Sequence, residues 1–221
     1  LSRGVEDALR VRLVGSLPDR MRVEPSPFQM GPVKLGDSLG EDAVDRLRAL
    51  PGVRQVYRQA RLPLPVQLHA SYGGQDFWSD VILEGVDPGL VEPQLARGQS
   101  FETAGRPEVP AVLPRVMMDV LAAGVSIHSN LPTISPDLLA GRHFTLVVGR
   151  SSFGATRNRL QQHRCVIAGV SDQVGLGGPS VPLKTLQAWT PEPLRYYAVT
   201  LALDSAARAP EVEEHLRRMG L

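Results

Sequence analysis

The glycine-rich run Gly175-Leu-Gly177-Gly178-Pro-Ser180 is the first candidate for phosphate chemistry, because closely spaced glycines let backbone amides approach an anion. It carries half of a dinucleotide fingerprint. Ser180 stands where the last glycine belongs, and no helix follows the expected strand. Lys184-Thr185 lacks the glycine that a P-loop places just before its lysine. Gly149-Arg-Ser151-Ser-Phe153 offers a serine on a turn, yet Phe153 sits where a nucleophile elbow needs glycine for close backbone passage. All three read as turns.

The five histidines are His69, His128, His143, His163 and His215, and no two are spaced i,i+4 as a helical metal site requires. His163 and Cys165 alternate at a strand edge and can share a face, but no third ligand lies nearby. Cys165 therefore reads as a small core residue. As the single cysteine it also excludes an internal disulfide. The carboxylates read as helix-start or turn residues, with Asp76, Asp80 and Asp87 flanking a hairpin. None is read as forced into an apolar run, where a raised pKa would make an acid catalyst. The expectation is no catalytic residue, no cofactor and no metal.

The elements around these residues belong to an ordinary globular chain. The 221 residues are 43% hydrophobic and 21% charged, which excludes disordered and collagen-like classes. A net charge of +1, from 24 basic and 23 acidic residues, argues against a nucleic-acid partner. The 21 glycines and 19 prolines favour a loop-rich β or α/β protein over a helical bundle. No apolar run approaches the roughly 18 residues that span a bilayer. The first residues lack the basic and apolar regions of a signal peptide. Starting at Leu1, the chain reads as a piece of something longer.

Along the chain, Val5, Ala8, Leu9 and Leu13 give a short helical stripe. A strand over Met21–Glu24 follows, then a Pro/Gly-rich loop over residues 25–37. Ser38 and Glu41 have capping-box spacing ahead of the apolar face Val44, Leu47 and Leu50, and Pro51-Gly52 ends that helix. Strands are expected at Val53–Gln59, Val66–Tyr72 and Phe77–Val86, the last two as a hairpin. Gly89–Ala96 reads as a short helix, Val109–Leu113 as a strand and Arg115–Ala123 as a helix. His143–Val148 and Arg164–Val170 are β-branched runs. Leu183–Trp189 is a helical turn, Tyr196–Asp204 a strand, and the tail a helix with buried Val212, Leu216 and Met219. A β–loop–α–β unit at the start and a β–α unit at the end, around a β-rich middle, predict an α+β fold with an inserted subdomain.

Several segments carry a family resemblance in the correct order. They are Leu50-Pro-Gly-Val-Arg-Gln-Val56, Ile82-Leu-Glu-Gly-Val-Asp-Pro88, Leu95-Ala-Arg-Gly-Gln-Ser-Phe101, Val112-Leu-Pro, Leu139-Ala-Gly-Arg-His-Phe, Cys165-Val-Ile-Ala-Gly-Val170 and Val181-Pro-Leu-Lys-Thr-Leu-Gln187. With Tyr197–Asp204 and the final helix, this pattern resembles the extracytoplasmic core domain of the MacB/FtsX/LolC-type ABC transporter permeases. The resemblance implies a porter-like β-α-β subdomain made by both chain ends, residues 17–88 plus 181–221. It also implies a β-rich sabre-like subdomain over 89–180 and a membrane-proximal stem over 1–16. It implies a non-catalytic periplasmic domain that passes conformational change across the membrane and contacts lipoprotein, lipid-like or hydrophobic cargo, or a partner. Flanking transmembrane helices, a separate cytoplasmic ATPase subunit, a periplasmic carrier or adaptor, and a dimer in the full transporter are implied with it. The alternatives are a module regulating a cell-wall hydrolase and a stand-alone soluble α/β enzyme.

Residues 150–164 form a long connection between two strands and carry Arg150, Arg157, Arg159 and Arg164 with no acidic residue. Charge and length alone predict an exposed basic loop. The order Ser152-Phe153…Arg164-Cys-Val-Ile-Ala-Gly169 resembles the lipoprotein-release permeases, in which a protruding hook at this position recruits a periplasmic carrier. That resemblance makes Phe153, Arg157, Arg159 and Arg164 the expected partner-contact residues.

Overall fold

The computed structural model describes residues 9–14, 17–25, 28–30, 33–35, 38–72, 74–118, 136–152 and 160–218. The chain divides into two units, Leu1–Ala60 with Leu194–Leu221, and Arg61–Pro193. The fold is α+β, with one unit drawn from both chain ends and a β-rich unit inserted in it. The boundaries expected after residues 88 and 180 both lie inside the second unit.

In the first unit, strands β1 (Leu9–Val14), β2 (Leu17–Pro25), β13 (Tyr196–Leu203) and β5 (Val53–Arg61) lie side by side in that order, antiparallel throughout. Two expectations from sequence change here. Of the stripe that read as helical, Leu9 and Leu13 lie on β1, paired from Leu9↔Pro25 to Val14↔Leu17, and Val5 and Ala8 lie outside the described residues. Leu9, Val11 and Leu13 also satisfy period two, and pairing with β2 decides for the strand. The loop expected over 25–37 contains a small hairpin, β3 (Phe28–Met30) and β4 (Val33–Leu35).

Cross-strand partners place Met21, Val23, Val199, Leu201 and Val56 on one face of this sheet, and all are buried. Helix α1 (Glu41–Arg48) buries Val44 and Leu47, and α5 (Ala209–Arg218) buries Val212 and Leu216. Both helices carry acids in the first turn and bases in the last, which complements the helix dipole. The capping box does not form. Gly40 is the N-cap of α1, with no side-chain cap, and Glu41 instead accepts hydrogen bonds from Tyr196 Oη and from Arg58 Nη1 at 3.2 Å. Gly52 turns the chain at φ +85°, and a Cβ there would lie 3.4 Å from Val212 Cγ2, so the turn and α5 meet closely.

The second unit holds β6 (Val66–Tyr72), β7 (Gln75–Val81), β8 (Glu84–Val86), β9 (Val109–Pro114), β10 (His143–Val148), β11 (Gln161–Ser171) and β12 (Ser180–Pro182). Their sheet order is β8-β12-β9-β11-β10-β6-β7, with β8–β12 and β9–β11 parallel and the other neighbours antiparallel. Short helices α2 (Pro88–Val91), α3 (Pro136–Leu139) and α4 (Leu183–Ala188) lie between strands in chain order, and residues 115–118 are helical. Of the helix expected at 115–123, residues 119–123 lie outside the described residues. The single strand expected over 77–86 is broken. Ile82 N donates to Gly177 O at 3.0 Å and Leu62 N to Leu83 O at 2.9 Å, which turns the chain out of the hairpin and into β8. The core face carries Val66, Leu68, Phe144, Leu146, Val148 and Cys165, all buried.

Candidate functional site

The connection singled out by its arginines joins β10 to β11, which pair from His143↔Val166 to Val148↔Gln161, so it closes a hairpin. Phe153, Arg157 and Arg159 lie outside the described residues. Arg164 is on β11, exposed, and its Nε meets Glu108 Oε1 at 2.9 Å. The other oxygen of Glu108 accepts from His143 Nε2 at 3.0 Å. One carboxylate thus joins Arg164 to the neighbouring strand, an arrangement that sequence spacing did not anticipate.

The start of the connection is tied down by Asp80. The Ser152 amide donates to Asp80 Oδ2 at 2.8 Å, and the Ser151 hydroxyl donates to the same oxygen at 2.9 Å. Gln67 Nε2 donates to Ser152 Oγ at 3.1 Å, and Gly149 N to Pro65 O at 2.8 Å. Partial desolvation raises the Asp80 pKa, but the Ser152 amide and the two serine hydroxyls outweigh it and hold the group below its ordinary value. Arg150 is thereby placed 5.7 Å from the Trp78 ring centroid.

Strand register gathers these groups on one face. Gln67 pairs with Asp80, His69 with Trp78 and Ser71 with Asp76, and directly paired residues share a face. Val147 and Thr145 continue the same face on β10, then Gln162 and Arg164 on β11. His69 stacks on Trp78 with centroids 3.8 Å apart. Trp78 is nonetheless 53% exposed, and Phe77, on the opposite face of the same strand, is 44% exposed. Along β6 and β7 this face is polar and aromatic; on the reverse face β6 and β10 carry buried Val66, Leu68, Phe144 and Leu146, while Phe77 and Ser79 of β7 are exposed.

Sequence reading missed Glu84. It stands in Ile82-Leu-Glu84-Gly-Val86, an apolar run, and is fully buried on β8. Its carboxylate accepts from Gly175 N at 2.8 Å and meets Arg61 Nε at 3.5 Å. The visible signal was a charge inside an apolar run. Its partners, from residues 61 and 175, follow only from the fold. Gly175 carries no Cβ because one would fall within 2.6 Å of Glu84 Cδ, and Gly178 passes over Ile82 in the same way. The glycine-rich run, read from sequence as a turn, is a loop packed on Glu84 and Ile82.

His163 and Cys165 share the core face. His163 stacks on Trp189 at 3.8 Å, and burial lowers its pKa. Burial, aided by the charge of Glu108, pushes the Cys165 thiol up to about 12. Among the described residues no group of three His, Cys, Asp or Glu side chains is placed to hold a metal ion. No helix among them is long and apolar enough to cross a membrane.

No protein-family model and no curated protein matches the chain. Among solved structures, the chain is similar to the periplasmic region of MacB from Actinobacillus actinomycetemcomitans, with a TM-score of 0.49 and 13% identity over 91% of this chain and 84% of that one. It is also similar to the extracellular domain of the ABC-type transporter YknZ from Gram-positive bacteria, with a TM-score of 0.43 and 16% identity over 80% of this chain and 79% of that one.

Proposed function

We propose that this chain is an extracytoplasmic, non-catalytic domain of a MacB/FtsX/LolC-type ABC transporter permease, transmitting conformational change and contacting a partner or a lipid-like or hydrophobic cargo. The observation that carries this reading is the meeting of two resembling motifs far apart in sequence. Ile82–Pro88 supplies β8, and Val181–Gln187 supplies β12 and α4. The strands pair in parallel as Ser180↔Glu84, Val181↔Gly85 and Pro182↔Val86. A Cβ on Gly85 would lie 2.7 Å from Leu186 Cδ2 and 2.8 Å from Leu186 Cβ, so the motif glycine and the motif leucine occupy one space. Motif matches arising by chance have no reason to interlock in this way.

A unit built from both chain ends with a second unit inserted fits a domain strung between membrane helices, with ATP hydrolysed by a separate cytoplasmic subunit. The test is the complete reading frame. Apolar segments of about 18 residues or more should flank this chain on both sides, with an ATPase gene adjacent. A complete frame without such segments overturns the reading. ATP should leave the melting temperature of the chain unchanged, because only a ligand of the native state raises it. A clear ATP-induced rise would show a nucleotide site on this chain and count against ATP binding by a separate subunit alone.

A further inference from the structure

We propose that β7 is a docking edge for an extended segment of a partner polypeptide carrying two cationic side chains four residues apart. The proposal stands whether or not the chain is a transporter domain. β7 is the last strand of its sheet, and among the described residues no strand pairs with its outer side. A row of backbone donors and acceptors at such an edge is a template for a further strand. Natural edges are commonly defended by proline, by charged side chains (lysine above all) or by a bulge, and the charges on β7 are Asp76 and Asp80, which repel a like-charged strand but not a cationic one. Gln75-Asp-Phe-Trp-Ser-Asp-Val81 contains neither proline nor lysine, and its pairing with β6 runs from Val66↔Val81 to Tyr72↔Gln75 without a register shift.

The side chains define the occupant. Asp76, Trp78 and Asp80 share the outer face, so two carboxylates flank one exposed indole. Phe77 is exposed on the other face, so an added strand would cover apolar surface on both sides. A second copy of β7 laid antiparallel and centred on Trp78 would set Asp76 opposite Asp80 twice. Like charges directly opposite each other destabilise a pair. A strand with Lys or Arg at i and i+4 and an apolar residue between them turns both contacts favourable.

The probe is the peptide N-acetyl-TKVYVKT-amide, added to the unmodified chain and followed by amide exchange and chemical shifts. Exchange at residues 76–80 should slow on binding. The glutamate peptide N-acetyl-TEVYVET-amide should bind about tenfold or more weakly, because two cross-strand charge pairs change sign. The peptide N-acetyl-TKVPVKT-amide should give no protection, because proline removes a ladder donor. Asp76→Lys, at an exposed position, should narrow or reverse the preference between the lysine and glutamate peptides. Equal binding of those two peptides, or protection away from β7, would overturn the proposal. So would concentration-dependent dimerisation that protects the same amides without peptide, which assigns the edge to a second copy. Perturbation of Trp78 by phosphatidylglycerol vesicles but not by peptide would assign it to a lipid surface and equally refute the proposal.

Discussion

The Ser152 amide points at both oxygens of Asp80, at 2.8 and 3.1 Å, across 72 positions of sequence. It fixes where the arginine-bearing connection leaves the sheet. Because these donors favour the carboxylate, the Asp80 pKa is lower in the folded state than in the unfolded chain. The stabilisation is therefore complete above the unfolded value of about 3.9 and is lost as pH falls through the folded one. The Ser152 amide proton shift should stay constant from neutral pH to about pH 4 and titrate below it. Asp80→Asn should abolish that titration. A midpoint at or above the ordinary aspartate value would show that the serines do not hold the ionised group.

Cys165 gives a second pH-linked test. With its pKa at about 12, almost no thiolate exists near neutrality, and the thiolate is the reactive form. The native protein should resist a disulfide reagent at about pH 8, and modification should proceed only as fast as the chain unfolds. Modification at the rate of a free cysteine in the folded protein would place Cys165 outside the core.

Most strands were legible because alternation bounded by glycine and proline is a local signal. Val53–Gln59 and Tyr196–Asp204, read from alternation alone, correspond to β5 and β13, with ends shifted by two residues and one residue. Other features escaped, some because tertiary contacts decided them and one because local composition masked it. Glu41 has the residue type and spacing of a capping box, but Tyr196 and Arg58 claim its carboxylate. Leu9–Val14 fits two periods, and pairing with β2 chooses one. Proline and glycine between residues 25 and 37 hid the β3–β4 hairpin. At the candidate site, the arginine content of the connection was visible, but Asp80 read as a turn carboxylate. Its role depends on pairing with Gln67, which brings β7 beneath Ser151 and Ser152.

Leu47 tests the packing of the first unit. It is fully buried on α1, as are Val44 on the same helix and Val199 and Leu201 on β13. Leu47→Ala should cost about 2–5 kcal/mol, from lost transfer energy plus the cavity left behind. Urea titration followed by circular dichroism reads this as a lower midpoint with an unchanged slope. A cost below about 0.5 kcal/mol, the range of ordinary surface substitutions, would mean that the apolar face of α1 is assigned to the wrong side.

Gly175 and Glu84 offer the strictest test of the second unit, because the prediction concerns a coupling. Gly175 has no positive φ to defend, so backbone strain does not explain the residue. What excludes a side chain is the Glu84 carboxylate, which occupies the place a Cβ would take and also accepts the Gly175 amide at 2.8 Å. Gly175→Ala should therefore act as overpacking and cost about 1–3 kcal/mol. Glu84→Ala alone should also destabilise, since it strips the Gly175 amide of its acceptor and empties the buried place of the carboxylate. In the double variant the added methyl enters the space the carboxylate vacated, so the cost of that variant should fall short of the sum of the two single costs by about 0.5–3 kcal/mol. Strict additivity in urea titrations of the four proteins would mean that the glycine-rich loop does not pack on β8. The clasp between them would then have to be withdrawn.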